Sequence, residues 1–142
     1  MSLLQAAALD GAAGTVFLVA RLAFGLTLAF MGLNHFQDVE GMAGYAGSKG
    51  VPAPEFGVIA SGVMLLLGGL GIAVGAYPVI AAGALATFFV VATPLMHDFW
   101  NAEDTQGEMT HFLKNVALLG GALAFLALGG SDWSLAAGVG LF

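Results

Sequence analysis

Four stretches of this chain are almost wholly apolar, and each is long enough to cross a bilayer. They run over roughly Ala13 to His35, Glu55 to Ala76, Pro78 to His97 and His111 to Gly129. At about 1.5 Å of rise per residue, some 20 helical residues cover the ~30 Å hydrocarbon layer. Lipid offers no partner to an open backbone, so each run must be a helix. Short links between consecutive spans make neighbours antiparallel. The expected fold is an all-α membrane protein, an antiparallel up-down four-transmembrane-helix bundle, with residues 1–142 as a single membrane domain.

Composition supports this and removes several alternatives. The chain is 59% hydrophobic and 8% charged, with a mean hydropathy of +0.95. Soluble domains carry about 25% charged residues, so this one cannot cover a water-facing surface. With three Lys and Arg and a net charge of −6, nucleic acid is excluded as a partner. There is no cysteine, which rules out disulfides, thiolate catalysis and Cys-bound zinc or iron–sulfur centres within the chain. The segment MSLLQAAALDGAAG has no basic stretch ahead of the first apolar run, so that run is expected to stay as an anchor.

The punctuation between spans agrees. Gly50-Val-Pro-Ala-Pro54 leads into the second span, with Glu55 at its N-terminus. Pro78 opens the third span after a tight turn at Gly75–Tyr77. Residues 36–54 and 98–110 read as the two long loops. The tail, residues 131–142, is apolar but too short to span and is expected at the interface.

Topology then gathers the polar residues. With the N-terminus at end A, both long loops lie at end B. His35, His97, Asp98, His111, Lys114 and Asn115 all fall at that level, and Pro94 distorts the turn beneath His97. His111, Lys114 and Asn115 share one helix face. Three uses fit these residue types. A quinone head group needs hydrogen-bonding groups and a proton carrier at the interface. A metal or haem would take the histidines, although no two have the spacing of a metal motif. A polar cap would simply bond helix ends, loops and water. We expect no catalytic residue, no metal ligand and no covalently bound cofactor. Lys49 and Lys114 favour end B as the cytoplasmic side.

Arg21 stands apart, inside VFLVARLAFGLTLAF. An arginine at mid-helix costs roughly 2.5–3.5 kcal/mol on insertion, which the surrounding Leu, Phe and Val offset. Its charge still needs a destination. One is the C-terminal carbonyls of the second and fourth spans, or Asp10, Tyr77 or Asp132, at end A. The other is a polar cavity in the bundle, which makes Arg21 a candidate ligand-binding residue.

Taken together, Arg21-Leu-Ala-Phe-Gly25, Gly32-Leu-Asn-His35, Gly50-Val-Pro-Ala-Pro54, Gly68-Gly69 with Gly75, and above all the run from His111-Phe-Leu-Lys-Asn115 to Gly120-Gly121 resemble the DoxX family of small four-helix membrane proteins. The resemblance spans roughly residues 15–128. It implies a multi-pass protein of a bacterial or archaeal cytoplasmic membrane. It also implies a subunit of a quinone-linked complex, in sulfur or thiosulfate oxidation or oxidative stress, with redox subunits as partners. The residue-level alternatives are a non-catalytic scaffold or homo-oligomer packed through its glycines and, ranked last, a small transporter. The family pattern has a glutamate three residues before the second-span glycine pair; here that position is Leu65. At about the depth of Arg21, it would remove an acidic partner.

Overall fold

The structure is a computed structural model that describes residues 9–140. Four long helices form the expected bundle: α1 (Gly11–Gln37), α3 (Pro54–Val74), α4 (Pro78–Met96) and α5 (Thr105–Leu128). All four are long and apolar enough to cross a membrane. A short helix, α2 (Val39–Ser48), and a 3-10 turn, Phe99–Asn101, occupy what reads in the sequence as loop. Helix α2 and the early start of α5 have the same local cause. Asp38 caps α2 by accepting from the Gly41 amide at 3.0 Å, and Asp104 caps α5 by accepting from the Gly107 amide at 3.0 Å. An aspartate in this position satisfies an orphan N–H and starts a helix. The fourth span therefore begins at Thr105, six residues before His111, and its first two turns are polar.

α1 and α3 form the tightest pair. A Cβ on Gly25 would strike the Gly69 carbonyl, and one on Gly69 would sit 2.6 Å from the Ala29 amide nitrogen. Two turns along, a Cβ on Gly32 would lie 2.7 Å from the Gly62 carbonyl. Glycine at these sites lets the two backbones touch, which is how membrane helices associate without a hydrophobic drive between them. Gly71, part of the GxxxG with Gly75, is used inside the bundle against Ala81, whereas Gly120 faces open space. The remaining core is built from Leu28, Leu65, Ile72, Leu85, Phe89 and Phe125.

The close α1–α3 seam carries Arg21 to the end of α3. Its side chain is fully buried. Nε donates to the Ile72 carbonyl at 3.2 Å and Nη2 to the Ala73 carbonyl at 3.1 Å. Nη1 donates to Ser134 O at 2.9 Å, and Nη2 also donates to Leu135 O at 3.1 Å. Carbonyls at the end of the second span are thus its partners, as expected for end A. No carboxylate among the described residues pairs with it. Leu65 is not opposite Arg21: it is buried against Gly32, seven residues before Ile72, about 10 Å along the helix. The glutamate of the family pattern would not meet Arg21 here.

At end A the tail packs across the ends of α1, α3 and α4; residues 141–142 lie outside the described ones. Trp133 packs edge-on against Phe17 at 5.1 Å and stacks under the Arg21 guanidinium at 5.4 Å. Ala137 N donates to Val74 O at 2.7 Å, and Tyr77 N donates to Val139 O at 2.8 Å.

Two stability differences follow. Gly69→Ala forces the α1 and α3 backbones apart and should lower stability by about 1–3 kcal/mol, while Gly120→Ala should be near neutral. Arg21→Met strands carbonyls that cost about 1–3 kcal/mol each when buried and unpaired. It should free the tail, so that protease cleaves near Ser134 while the bundle persists. Thermal unfolding in detergent and limited proteolysis measure both.

Candidate functional site

At end B the helices separate around a cavity of about 620 Å³. α1 contributes Met31 and His35, α2 covers it with Met42 and Tyr45, and α3 supplies Ser61 and Met64. α4 adds Thr87, Phe88 and Val91, and α5 adds Lys114 and Asn115. Most of the lining is apolar, and its polar groups come from five different helices or their ends.

Of the residues singled out in the sequence, the structure brings His35, His97, Lys114 and Asn115 to this wall. His111 lies behind the wall, its ring stacked on His97 at 5.1 Å. Asp98 points to Lys49, at 2.6 Å from Oδ1 to Nζ. Arg21 is at the other end of the bundle and does not line the cavity, which corrects its placement in a shared site.

Asn115 differs from the rest. It is only 6% exposed, it lines the cavity, and its side-chain amide has no hydrogen-bond partner among the described residues. Buried amides are normally paired. Lys114 beside it makes no ion pair among the described residues.

Glu108 and Tyr45 carry no signal of this role in the sequence. Glu108 Oε2 accepts from His97 Nδ1 at 2.8 Å, and its Oε1 accepts from the Tyr45 hydroxyl at 3.0 Å. One carboxylate thereby joins α2, the end of α4 and α5. Lys49–Asp98 is a second tie between the end of α2 and the end of α4. The N-cap pattern Asp104…Glu108 would have placed Glu108 on a helix. Nothing local would have paired it with Tyr45, 63 residues away.

Both ties shift the α2 groups in one direction. Partial burial, reinforced by the hydrogen bond and negative charge of Glu108, pushes the Tyr45 phenol above its ordinary value. The hydrogen bond to Asp98 holds the Lys49 ammonium above its ordinary value. A raised folded-state value means that the interaction is complete below the unfolded range, ~10 for Tyr and ~10.4 for Lys, and is lost as pH climbs through the folded value.

The comparisons with known proteins come to one match. The DoxX family model matches residues 16–98, from α1 to just past the end of α4. No curated protein and no solved structure matches the chain.

The α2 ties generate a pH test. Nitroxide labels at Gly44 and Gln106 should hold a short separation at neutral pH and move apart as pH rises above the ordinary phenol and ammonium ranges. Tyr45→Phe should lower the threshold for that opening by weakening the α2 contact by about 0.5–1 kcal/mol. Pulsed electron paramagnetic resonance reads the distance.

Proposed function

This chain belongs to the DoxX family, and from that premise we propose that it is the membrane subunit of a quinone-linked redox complex that holds a lipophilic ring compound in the end-B cavity. It is a multi-pass membrane protein with four apolar helices. The observation that carries the reading is Asn115: a buried residue whose amide has no partner among the described residues and opens onto a largely apolar cavity of about 620 Å³. That volume suits a ring ligand, and such sites typically combine an apolar wall with a few convergent polar groups. Asn115 and Lys114 would hold a ring oxygen, while Phe88, Val91 and Met64 would enclose the ring. A quinone supplies two-electron redox chemistry when bound. Electrons would reach it through a partner subunit, in sulfur or oxidative-stress metabolism, at the cytoplasmic membrane of a bacterium or archaeon.

A second reading, a scaffold or homo-oligomer, is favoured by the outer face of α5. Ala117, Gly120, Ala124 and Ala127 are all exposed at helical spacing, and a Cβ on Gly120 would meet nothing. The two readings are separable. Native mass spectrometry of protein from its own membranes should find a quinone or redox subunit under the first and a homo-oligomer carrying only phospholipid under the second.

The site itself has a direct test. A decyl-substituted benzoquinone should bind the purified protein saturably. Asn115→Leu should weaken binding about tenfold without loss of helicity, measured by equilibrium dialysis and circular dichroism. Unchanged affinity would remove Asn115 from the site.

A further inference from the structure

We propose that the cavity selects the reduced, hydroxyl-bearing form of a ring ligand over its carbonyl form, with His35 as a specificity-determining residue. This rests on the ring-ligand reading of the cavity. His35 Nδ1 lies 2.9 Å from the Met31 carbonyl oxygen, one turn back on α1. A carbonyl only accepts, so Nδ1 holds the ring proton. In the neutral imidazole, Nε2 is then a lone pair. It lies on the far edge of the ring from that bond, away from the α1 backbone. The ring lines the cavity, with Phe88 edge-on at 6.4 Å.

The other hydroxyls on the wall have also committed their protons. Ser61 Oγ donates to Val58 O at 3.0 Å, and Thr87 Oγ1 donates to Gly83 O at 2.8 Å. The Tyr45 hydroxyl donates to Glu108. His97 Nδ1–H is held by the same carboxylate. The three hydroxyls therefore offer the cavity lone pairs and no proton. Against these acceptors stand two donors, the Asn115 amide and the Lys114 ammonium.

A benzoquinone carries only acceptor oxygens. At Asn115 and Lys114 it finds protons, but its second carbonyl faces lone pairs. A hydroquinone keeps an oxygen acceptor for Asn115 and brings hydroxyl protons to Nε2 of His35. Asn115 can serve either form by presenting its NH₂ or its carbonyl, so it sets affinity and not preference. His35, with its tautomer fixed by Met31, sets the preference.

The test uses the full chain in lipid nanodiscs with two probes, a decyl-substituted benzoquinone and its hydroquinone kept reduced without oxygen. The hydroquinone should bind about tenfold more tightly, as a buried acceptor gains or lacks its partner. By linkage, a tenfold preference raises the two-electron midpoint potential of the bound couple by about 30 mV. His35→Leu should lose most of the preference, chiefly because the hydroquinone binds more weakly. Equal binding of both forms overturns the proposal and leaves the ring-ligand reading standing. Binding of neither form overturns both. A preference that survives in His35→Leu overturns the assignment to His35. Nitrogen-15 spectra of histidine-labelled protein test the tautomer without any substitution. A proton on Nδ1 and a bare Nε2 for His35 are expected, and the opposite tautomer overturns the proposal.

Discussion

A carbonyl left bare in hydrocarbon has no water to turn to, and the end of α3 shows how this chain meets that constraint. The last four carbonyls of a helix have no partner within it. Here Gly71 O accepts from the Gly75 and Ala76 amides, in a turn that Gly75 makes with a φ of 72°. Ile72 O and Ala73 O accept from Arg21, and Val74 O accepts from the tail amide of Ala137. The remaining guanidinium protons then reach forward to Ser134 and Leu135. One side chain thus caps a helix and anchors a tail. The arginine costs energy on insertion, but the carbonyls it satisfies would cost as much or more if left open at that depth.

Arg21 can do this because α1 and α3 touch. Gly25 is one turn after Arg21, and Gly69 is one turn before Ala73, so the backbone contact sits beside the guanidinium. The glycines set the distance between the helices, and the arginine fixes their register. The same seam continues toward end B, where Gly32 and Gly62 meet. Around it Met31, His35, Ser61 and Met64 line the cavity. Wider separation of α1 and α3 would therefore undo both the cap at one end and the cavity wall at the other.

The two ends of the bundle serve different purposes. End A is closed by backbone hydrogen bonds and aromatic packing around Arg21. End B is roofed by α2, which the side chains of Tyr45 and Lys49 tie across to Glu108 and Asp98. Ties made of exposed and half-buried polar groups are weaker than a packed glycine seam, so α2 is the element of this fold best placed to move. Beneath it lies an apolar cavity whose polar wall is mostly acceptors.

The sequence alone determined the bundle. Four runs of about twenty apolar residues admit no other structure in lipid, because the backbone must satisfy itself. It also placed the histidines, Lys114 and Asn115 at one end, since depth follows from position along a span. Asp38 and Asp104 are of the residue type that starts helices, yet α2 and the first turns of α5 read as loop because glycine and polar residues mask them. Only the tertiary structure decided which polar groups meet. The pairing of Glu108 with Tyr45 and His97, the bare amide of Asn115 and the choice of backbone carbonyls over an acid for Arg21 all join residues far apart in the chain. Helical periodicity gives a residue's depth and face; it does not give the rotation of one helix against another. That rotation is set by where two glycine backbones can touch.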